Sequence, residues 1–348
     1  MGIESHLTDA AGKAGQQRRR VSIVVPVYNE ETNVRLAYDA LCEVFKSDTR
    51  YDVEMIFTDN HSEDSTFVRL AEIAVRDPRV KVLRFNRNYG FHRSLMAGYR
   101  LAQGEAVVQI DCDLQDPPDL ILEFLDHWKR GHDVVVGIRR RREENYFLAW
   151  GRRAFYAFIN HISEDRITRD AGDFRLIDRT VLDRVRALND INPYLRGLSS
   201  AFAINEAGIP YDRVKRRHGR SKFPLHRLVN LASDGIFFMT LFPLRLAGYI
   251  SFIISAITVG LALYYFTAAM FYGSDWPGGF ATIVLLLLLS ISLNGMFLAI
   301  IGKYLGQVYL QQQNRPLVVV ERSINVPSDH ATGIGGMKVP EPYGRAGS

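Results

Sequence analysis

The stretch AVVQIDCDLQDPP, residues 106–118, decides the fold. Its first five residues, Ala106 to Ile110, form a short apolar run of the length a strand buried on both faces needs. The chain then changes character. Asp111 and Asp113 bracket Cys112, and Asp116 leads into Pro117 and Pro118, a rigid start for a following helix. Two carboxylates one residue apart, just past a buried strand, repel each other unless something positive lies beside them. A divalent cation bound to a diphosphate is such a partner, because magnesium takes a few carboxylates together with phosphate oxygens. Side chains alternate along a strand, so Cys112 is expected to point into the sheet.

The same alternation of short apolar runs and helical patterns continues outward on both sides. Val21 to Val27, Val53 to Thr58, Val80 to Phe85 and Val134 to Ile138 read as further strands. Between them, Glu30 to Phe45, Ser65 to Val75, Tyr89 to Ala102 and Pro118 to Lys129 carry helical periodicity. This order predicts an α/β domain over residues 21–223 with a mostly parallel central sheet covered on both faces. In such sheets ligands bind beyond the carboxyl ends of the strands, so the polar residues after each apolar run are expected to line the site. No G-x-G-x-x-G follows the first strand, which runs instead into Pro26, Val27, Tyr28, Asn29 and Glu30. The second strand ends at Asp59. Asn86, Arg87, Asn88 and Gly90 follow the third and are placed to shape the same pocket.

The 348 residues suffice for one catalytic domain and an anchor, and the apolar fraction of 47% is unevenly spread. Leu246 to Tyr272 contains no Asp, Glu, Lys or Arg, and neither does Phe280 to Gly302. Each is long enough to span a bilayer as a helix, with residues 273–279 as the connection, so a two-helix transmembrane hairpin is expected. Arg245 precedes the first span and Lys303 follows the second, whereas the connection carries only Asp275. The bias of basic residues toward the cytoplasmic side then puts both termini and the catalytic domain in the cytoplasm, on a multi-pass protein of the inner membrane. Residues 224–245 read as an amphipathic juxtamembrane helix bent at Pro243, and 303–326 as a C-terminal juxtamembrane region. Residues 1–20 are expected to be a loose basic tail without a secretory core, and 327–348 a disordered one.

Lys+Arg 43 against Asp+Glu 38 gives a net charge of +5, too small an excess to point to nucleic acid. The basic clusters Arg18 to Arg20, Arg139 to Arg142 and Lys215 to Arg217 suit anionic lipid or phosphate. Two cysteines, Cys42 and Cys112, exclude a disulfide scaffold and a cysteine zinc site. His92, His127 and His161 lack metal-ligand spacing and read as ordinary packing residues.

Several separate motifs, in order, resemble the family-2, GT-A-type glycosyltransferases, and more closely the polyprenyl-phosphate glycosyltransferases such as bactoprenol glucosyltransferases and dolichol-phosphate mannose synthase. They are Val25 to Glu30, Asp59 to Thr66, Asp111 to Pro118, Asp170-Ala171-Gly172-Asp173-Phe174-Arg175, Arg196-Gly197-Leu198, and Tyr211 through Arg213, Arg217, Gly219, Ser221 and Lys222. The resemblance covers nearly all of residues 21–303. One departure stands out: where the family often has Asp-Asp-Gly-Ser, this chain has Asp59-Asn60-His61-Ser62. Asn60 is uncharged but able to hydrogen-bond a base or ribose.

The resemblance implies a nucleotide-sugar donor, a polyprenyl phosphate acceptor, and Mg2+ or Mn2+. It implies that Pro26, Tyr28, Glu30 and Asp59 surround the nucleoside. Asp111 would reach the nucleotide side, Asp113 the metal, and Gln115 the metal or the diphosphate. Arg139, Arg152 and Arg175 become candidates to hold the acceptor phosphate, with Arg175 first and Asp173 orienting it or touching the donor sugar. An arginine fork suits phosphate oxygens. Arg213, Arg217, Ser221 and Lys222 would close over the donor diphosphate. The expected reaction moves a hexose, first of all glucose from UDP-glucose, to undecaprenyl phosphate for cell-envelope modification such as that of lipopolysaccharide or O-antigen. N-acetylhexosamine, formamido-arabinose and GDP-derived mannose are the alternatives. A processive polysaccharide synthase would need more spans and a Q-x-x-R-W element, which is absent. A non-enzymatic scaffold would have no use for the carboxylates. A homo-oligomer, of four copies, is expected from the resemblance alone.

Overall fold

The computed structural model describes residues 18–46, 48–140, 171–188, 190, 193–213, 242–272, 280–313 and 315–327. The chain divides into two compact units. The first takes residues 1–144, 167–219 and 315–348, and the second takes 145–166 and 220–314.

The first unit is built on eight strands: β1 (Arg19–Val27), β2 (Tyr51–Asp59), β3 (Val80–Phe85), β4 (Ala106–Gln109), β5 (Val134–Arg139), β6 (Ala171–Asp178), β7 (Glu206–Tyr211) and β8 (Val320–Ile324). They form one sheet in the order β7-β5-β6-β4-β1-β2-β3-β8. Four neighbours, β4, β1, β2 and β3, run parallel. β6 lies antiparallel between β4 and β5, β7 is parallel to β5, and β8 closes the β3 edge antiparallel. The sheet is thus mostly parallel, as the alternating pattern predicts. The insertion of β6 has a consequence for chemistry. It brings its first residues, Ala171 to Asp173, to the edge where β1, β2, β4, β5 and β7 all end.

Alternate residues of each strand feed two cores, as the period of two requires. On one face Val21, Ile23, Val25, Met55, Phe57 and Val108 meet α1 (Val34–Lys46), α2 (Thr66–Arg76) and α4 (Leu120–Lys129). On the other, Val24, Ile56, Leu83, Val107 and Ile177 meet α3 (Phe91–Leu101), α5 (Arg179–Ala187) and α6 (Leu195–Phe202). α3 lies unusually close to the sheet. A Cβ on Gly98 would stand 2.4 Å from Val24 Cγ1, so glycine is what the approach allows.

Several expectations need correction. α1 starts at Val34, not Glu30, because residues 30–33 form a turn closed by the Glu30 carbonyl, which accepts the amides of Asn33 and Val34. The region 303–326 is not only juxtamembrane chain. Its first ten residues continue a helix to Gln312, and residues 320–324 become β8. Leu317, Val318 and Val320 are buried beside Leu83 and Phe85, and the Val319 carbonyl accepts the Asn86 amide at 3.0 Å.

The second unit contains two long helices, α7 (Phe242–Tyr272, 31 residues) and α8 (Phe280–Gln312, 33 residues). At about 1.5 Å per residue each reaches well beyond a bilayer's hydrocarbon thickness. Many of their apolar side chains among the described residues are exposed, including Phe252, Phe271, Ile291 and Leu298. Among the described residues, one segment, Leu289–Gln312, is long and apolar enough to cross a membrane by length and composition, and α7 supplies a shorter apolar stretch, Pro243–Ile254. Residues 224–241, the connection 273–279 and both tails (1–17 and 328–348) lie outside the described residues.

Candidate active site

Three loops at the carboxyl edge hold each other through side chains. After β1, the Asn29 amide donates to Ser62 Oγ (2.9 Å), the Glu30 amide to Thr66 Oγ1 (2.9 Å) and the Glu31 amide to Asp64 (3.2 Å). In return the Glu63 amide donates to Asn29 Oδ1 at 2.8 Å. After β2, Asn60 Nδ2 donates to Asn88, and Asn60 Oδ1 accepts the Tyr89 amide at 2.8 Å. The Asn60 side chain therefore fastens the β2 loop to the β3 loop; it does not face a base. Asn29, His61 and Leu114, one in each loop after β1, β2 and β4, have φ of 54, 65 and 53°. Left-handed non-glycine residues cost about 1–3 kcal/mol each and gather where structure over-determines them. At His61 the left-handed φ is one that glycine adopts without a Cβ penalty. Its ring is held by the Phe85 carbonyl (3.0 Å) and lies 3.7 Å from Glu321 of β8.

Of the four residues expected around a nucleoside, three reach the surface. Tyr28 is 43% exposed, Pro26 and Glu30 are half-buried, and Asn33 donates to the Glu30 carboxylate at 2.6 Å. Asp59 does not reach it. It is fully buried, accepts the Ser62 amide at 2.9 Å and pairs with Arg84 at 3.2 Å. Burial pushes its carboxyl up, against the pull of Ser62 and Arg84. Its geometry is that of a brace for the loop.

The loop after β4 carries the acid pair. Asp111 and Asp113 are both partly exposed, while Cys112 between them is buried in the core, as alternation predicts. Asp113 Oδ1 accepts the Gln115 amide at 3.2 Å, which shapes the turn through Leu114. Burial, and then the carboxylates of Asp173, Asp116 and Asp113, push the Asp111 carboxyl up to about 7 against Arg213. Such a crowd of acids is what a divalent cation would relieve. Among the described residues no three His, Cys, Asp or Glu side chains are grouped to hold a metal alone. The pair Asp111 and Asp113 thus fits a cation that takes its other ligands from a diphosphate.

Beneath this loop lies a network the sequence reading did not assign. Asp116 is fully buried. It accepts from Tyr211 Oη (2.5 Å) and Arg213 Nε (3.2 Å), with Arg139 at 3.6 Å. Arg139 Nε also donates to Tyr211 Oη at 3.3 Å, and Arg213 extends to 3.9 Å from Asp111. The last residues of β5 and β7 are thereby locked to the acid loop. Arg139 and Arg213 are half-buried cations beside it, suitably placed for an anionic ligand.

The β6 motif is placed differently from expectation. Arg175 is fully buried and donates to the Gly172 carbonyl (2.9 Å), the Arg196 carbonyl (3.2 Å) and Ser199 Oγ. A guanidinium spent on three protein acceptors cannot hold a phosphate; it ties β6 to α6. Asp173 receives a fork from Arg196, with Nε at 2.5 Å from Oδ1 and Nη2 on Oδ2. Burial would raise the Asp173 carboxyl, but Arg196, Arg175 and His92 more than offset it and hold it below the usual range. Arg196, quoted in its motif but given no role, is therefore the partner that keeps Asp173 charged. Arg152, Arg217, Ser221 and Lys222 lie outside the described residues.

The raised Asp111 carboxyl has a measurable consequence. Folded protein keeps this proton between about pH 4 and about 7, where an unfolded aspartate has lost it. Stability from this group therefore falls as pH rises across that window. EDTA-treated protein should melt lower at pH 7.5 than at pH 5.5 by more than an Asp111→Asn variant does. Mn2+ should raise the wild-type melting point more at pH 7.5. Identical pH slopes for the two proteins contradict the assignment.

A mostly parallel α/β sheet with paired aspartates at its carboxyl edge agrees with the GT-A resemblance of the sequence. The chain belongs to glycosyl transferase family 2, whose model matches residues 22–186. It is 36% identical over 306 residues to the uncharacterized glycosyltransferase YkcC of Bacillus subtilis (strain 168), covering 88% of this chain and 94% of that protein. It is 33% identical over 310 residues to the bactoprenol glucosyl transferase of Shigella phage SfII, covering 87% and 98%. Among solved structures, glucosyl-3-phosphoglycerate synthase from Mycobacterium tuberculosis, in complex with Mn2+, UDP-glucose and phosphoglyceric acid, aligns with a TM-score of 0.45 at 19% identity, covering 65% of this chain and 79% of that one. The protein is a glycosyltransferase.

Proposed function

We propose that this glycosyltransferase moves a hexose, glucose from UDP-glucose in the first instance, onto a polyprenyl phosphate at the cytoplasmic face of the inner membrane. The carrying observation is the strand-end pair Asp111 and Asp113, set against Arg139 and Arg213 through Asp116. The similarity to a bactoprenol glucosyl transferase over 87% of the chain supports the lipid acceptor. The exposed apolar side chains of α7 and α8 support a membrane hairpin, with Arg245 and Lys303 on the cytoplasmic side.

In this reading Pro26, Tyr28 and Glu30 line the nucleoside, and Asp59 braces their loop through Ser62 and Arg84. Asp113 and Asp111 hold Mg2+ or Mn2+, which when bound offsets charge on the departing diphosphate. Gln115 stays a candidate contact on the same side. Arg139 and Arg213 are the cations proposed to meet the phosphates, and Arg152, Arg217, Ser221 and Lys222, outside the described residues, are kept as candidates for the same task. The acceptor oxygen is already an anion, so it attacks the sugar's anomeric carbon without a general base. The bond to the nucleotide breaks, and its electron pair leaves with the diphosphate. The chain's own work is orientation and charge screening. Asp173 and Arg175 act by position, through Arg196 and α6.

Purified protein in detergent, supplied with a panel of UDP- and GDP-sugars, should transfer sugar to short polyprenyl phosphates and not to the unphosphorylated alcohols. Equal use of both acceptors would sink the anionic nucleophile. A fusion reporter on residues 273–279 that reads from the cytoplasm would sink the topology. A mass in mild detergent showing one copy would reject the proposed tetramer.

A further inference from the structure

His92 opens the helix α3, and the structure fixes how it is turned. On the sheet side of α3, Ser94 Oγ donates to Thr58 Oγ1 at 2.9 Å, and Gly98 sits against Val24 and Thr58. Leu95, Met96 and Tyr99 fill the core beyond the next turn. His92 is left facing the start of β6 and α6. Its ring meets Tyr194 edge-on at 6.1 Å between centroids, and the charges acting on it are Asp173, Arg196 and Arg175. Asp173 is also the charge acting most strongly on Asp111. His92 at the start of α3 and Asp173 at the start of β6 therefore lie on the same carboxyl edge of the sheet as Asp111.

Along that edge the hydrogen-bonding groups are spent unevenly. Both Asp173 oxygens are taken by Arg196, and Arg175 is committed to Gly172, Arg196 and Ser199. The Nδ1 atom of His92 is buried and has no hydrogen-bond partner among the described residues. Buried polar atoms are nearly always satisfied, so one left over at a binding edge awaits a ligand group.

The chemistry around it says which kind. Burial holds the imidazole pKa down, so the ring is neutral near pH 7. A neutral ring next to a carboxylate is a poor host for phosphate. It is a good one for a hydroxyl, which donates and accepts with equal ease. We propose that His92 Nδ1 hydrogen-bonds one hydroxyl of the transferred sugar, and so helps decide which sugar this enzyme takes. This rests on the donor reading above.

The test uses the full chain in detergent with Mn2+, the preferred nucleotide sugar, and its monodeoxy analogues. His92→Phe should lower kcat/KM for the full sugar by about tenfold. Affinity for UDP alone, measured by calorimetry, should stay within about twofold of wild type. One deoxy donor should lose a similar factor on wild type and lose nothing further on His92→Phe. His92→Asn places an amide near the Nδ1 position and should recover much of the loss. Two results would overturn the proposal: every deoxy donor losing the same factor on wild type and on His92→Phe, or UDP weakened as much as the nucleotide sugar, as a merely structural role predicts. Failure of the acceptor reading looks different. Wild type would then bind nucleotide sugar yet glycosylate no polyprenyl phosphate, and the ratio of nucleotide-sugar to UDP affinity in the variants would still judge His92. A wild type that binds no nucleotide sugar overturns the donor reading and this proposal together.

Discussion

Replacing Asp113 with Asn should reduce sugar transfer about a hundredfold while leaving the fold intact. The side chain keeps its size, and its Oδ1 can still accept the Gln115 amide that shapes the turn through Leu114. What disappears is the charge proposed above to face a cation. Loss of a metal ligand whose effect grows as charge builds on the leaving diphosphate is worth about 3 kcal/mol. Without metal the variant should melt no lower than wild type, because one member of a repelling acid group has been neutralised. The Asp111 carboxyl, which Asp113 helps push up to about 7, should also titrate lower. Transfer rate and melting point measured side by side, with and without EDTA, separate this from a structural role. A well-folded variant with near-wild-type activity insensitive to EDTA would falsify the metal assignment.

Much of the catalytic half was legible because its signals are local. The strands β1 to β5 are short apolar runs, and the helices between them carry their periodicity on the face that meets the sheet. The acid pair could be placed because a strand end in a parallel sheet is also a place in space. The later elements were less readable. β7 contains Gly208 and Pro210, which weaken a strand pattern and suit its edge position. β8 follows a long apolar helix, and nothing nearby in sequence says that five residues return to pair with β3. The Asp170 to Arg175 motif was visible, but which of its polar residues faces the site depends on strand register. Asp173 lies at the site end of β6, whereas Arg175, two residues on, pairs with Gln109 and lies under α6. An arginine in a motif reads equally well as a phosphate ligand or a buried tie, and only its acceptors tell them apart. Asn60 was misread for the same reason: its partners, Asn88 and Tyr89, sit 28 and 29 residues away.

Asp116 offers the sharper test of how the site is built. In the sequence Asp116 belongs to the Asp111 to Pro118 motif and leads into two prolines, with no role of its own, and a residue without a role should cost little when replaced by alanine. The structure makes it the buried acceptor for Tyr211 and Arg213, with Arg139 close by. Removing the carboxylate strands a phenol and two guanidinium groups around an anion-shaped gap. Breaking a buried ion pair from one side costs about 3–5 kcal/mol. For a domain of this size that corresponds to a melting point about 6–20 °C lower. Tyr211→Phe, which deletes one hydroxyl and leaves the charges paired, should cost only about 1 kcal/mol. Activity should respond beyond the loss of folded protein, because Arg139 and Arg213 take their places from Asp116. The folded fraction of Asp116→Ala should transfer sugar at least tenfold more slowly, with a KM for donor raised more than that of Tyr211→Phe. The acid pair should move in the opposite direction. Asp116 is one of the carboxylates that hold the Asp111 proton, so Asp111 should titrate below about 7 in the variant. A variant that is less stable, slower and more acidic at Asp111 has lost a hub linking β5, β7 and the acid loop. Asp116→Ala with an unchanged melting point and donor KM would reduce the residue to a lead for its prolines.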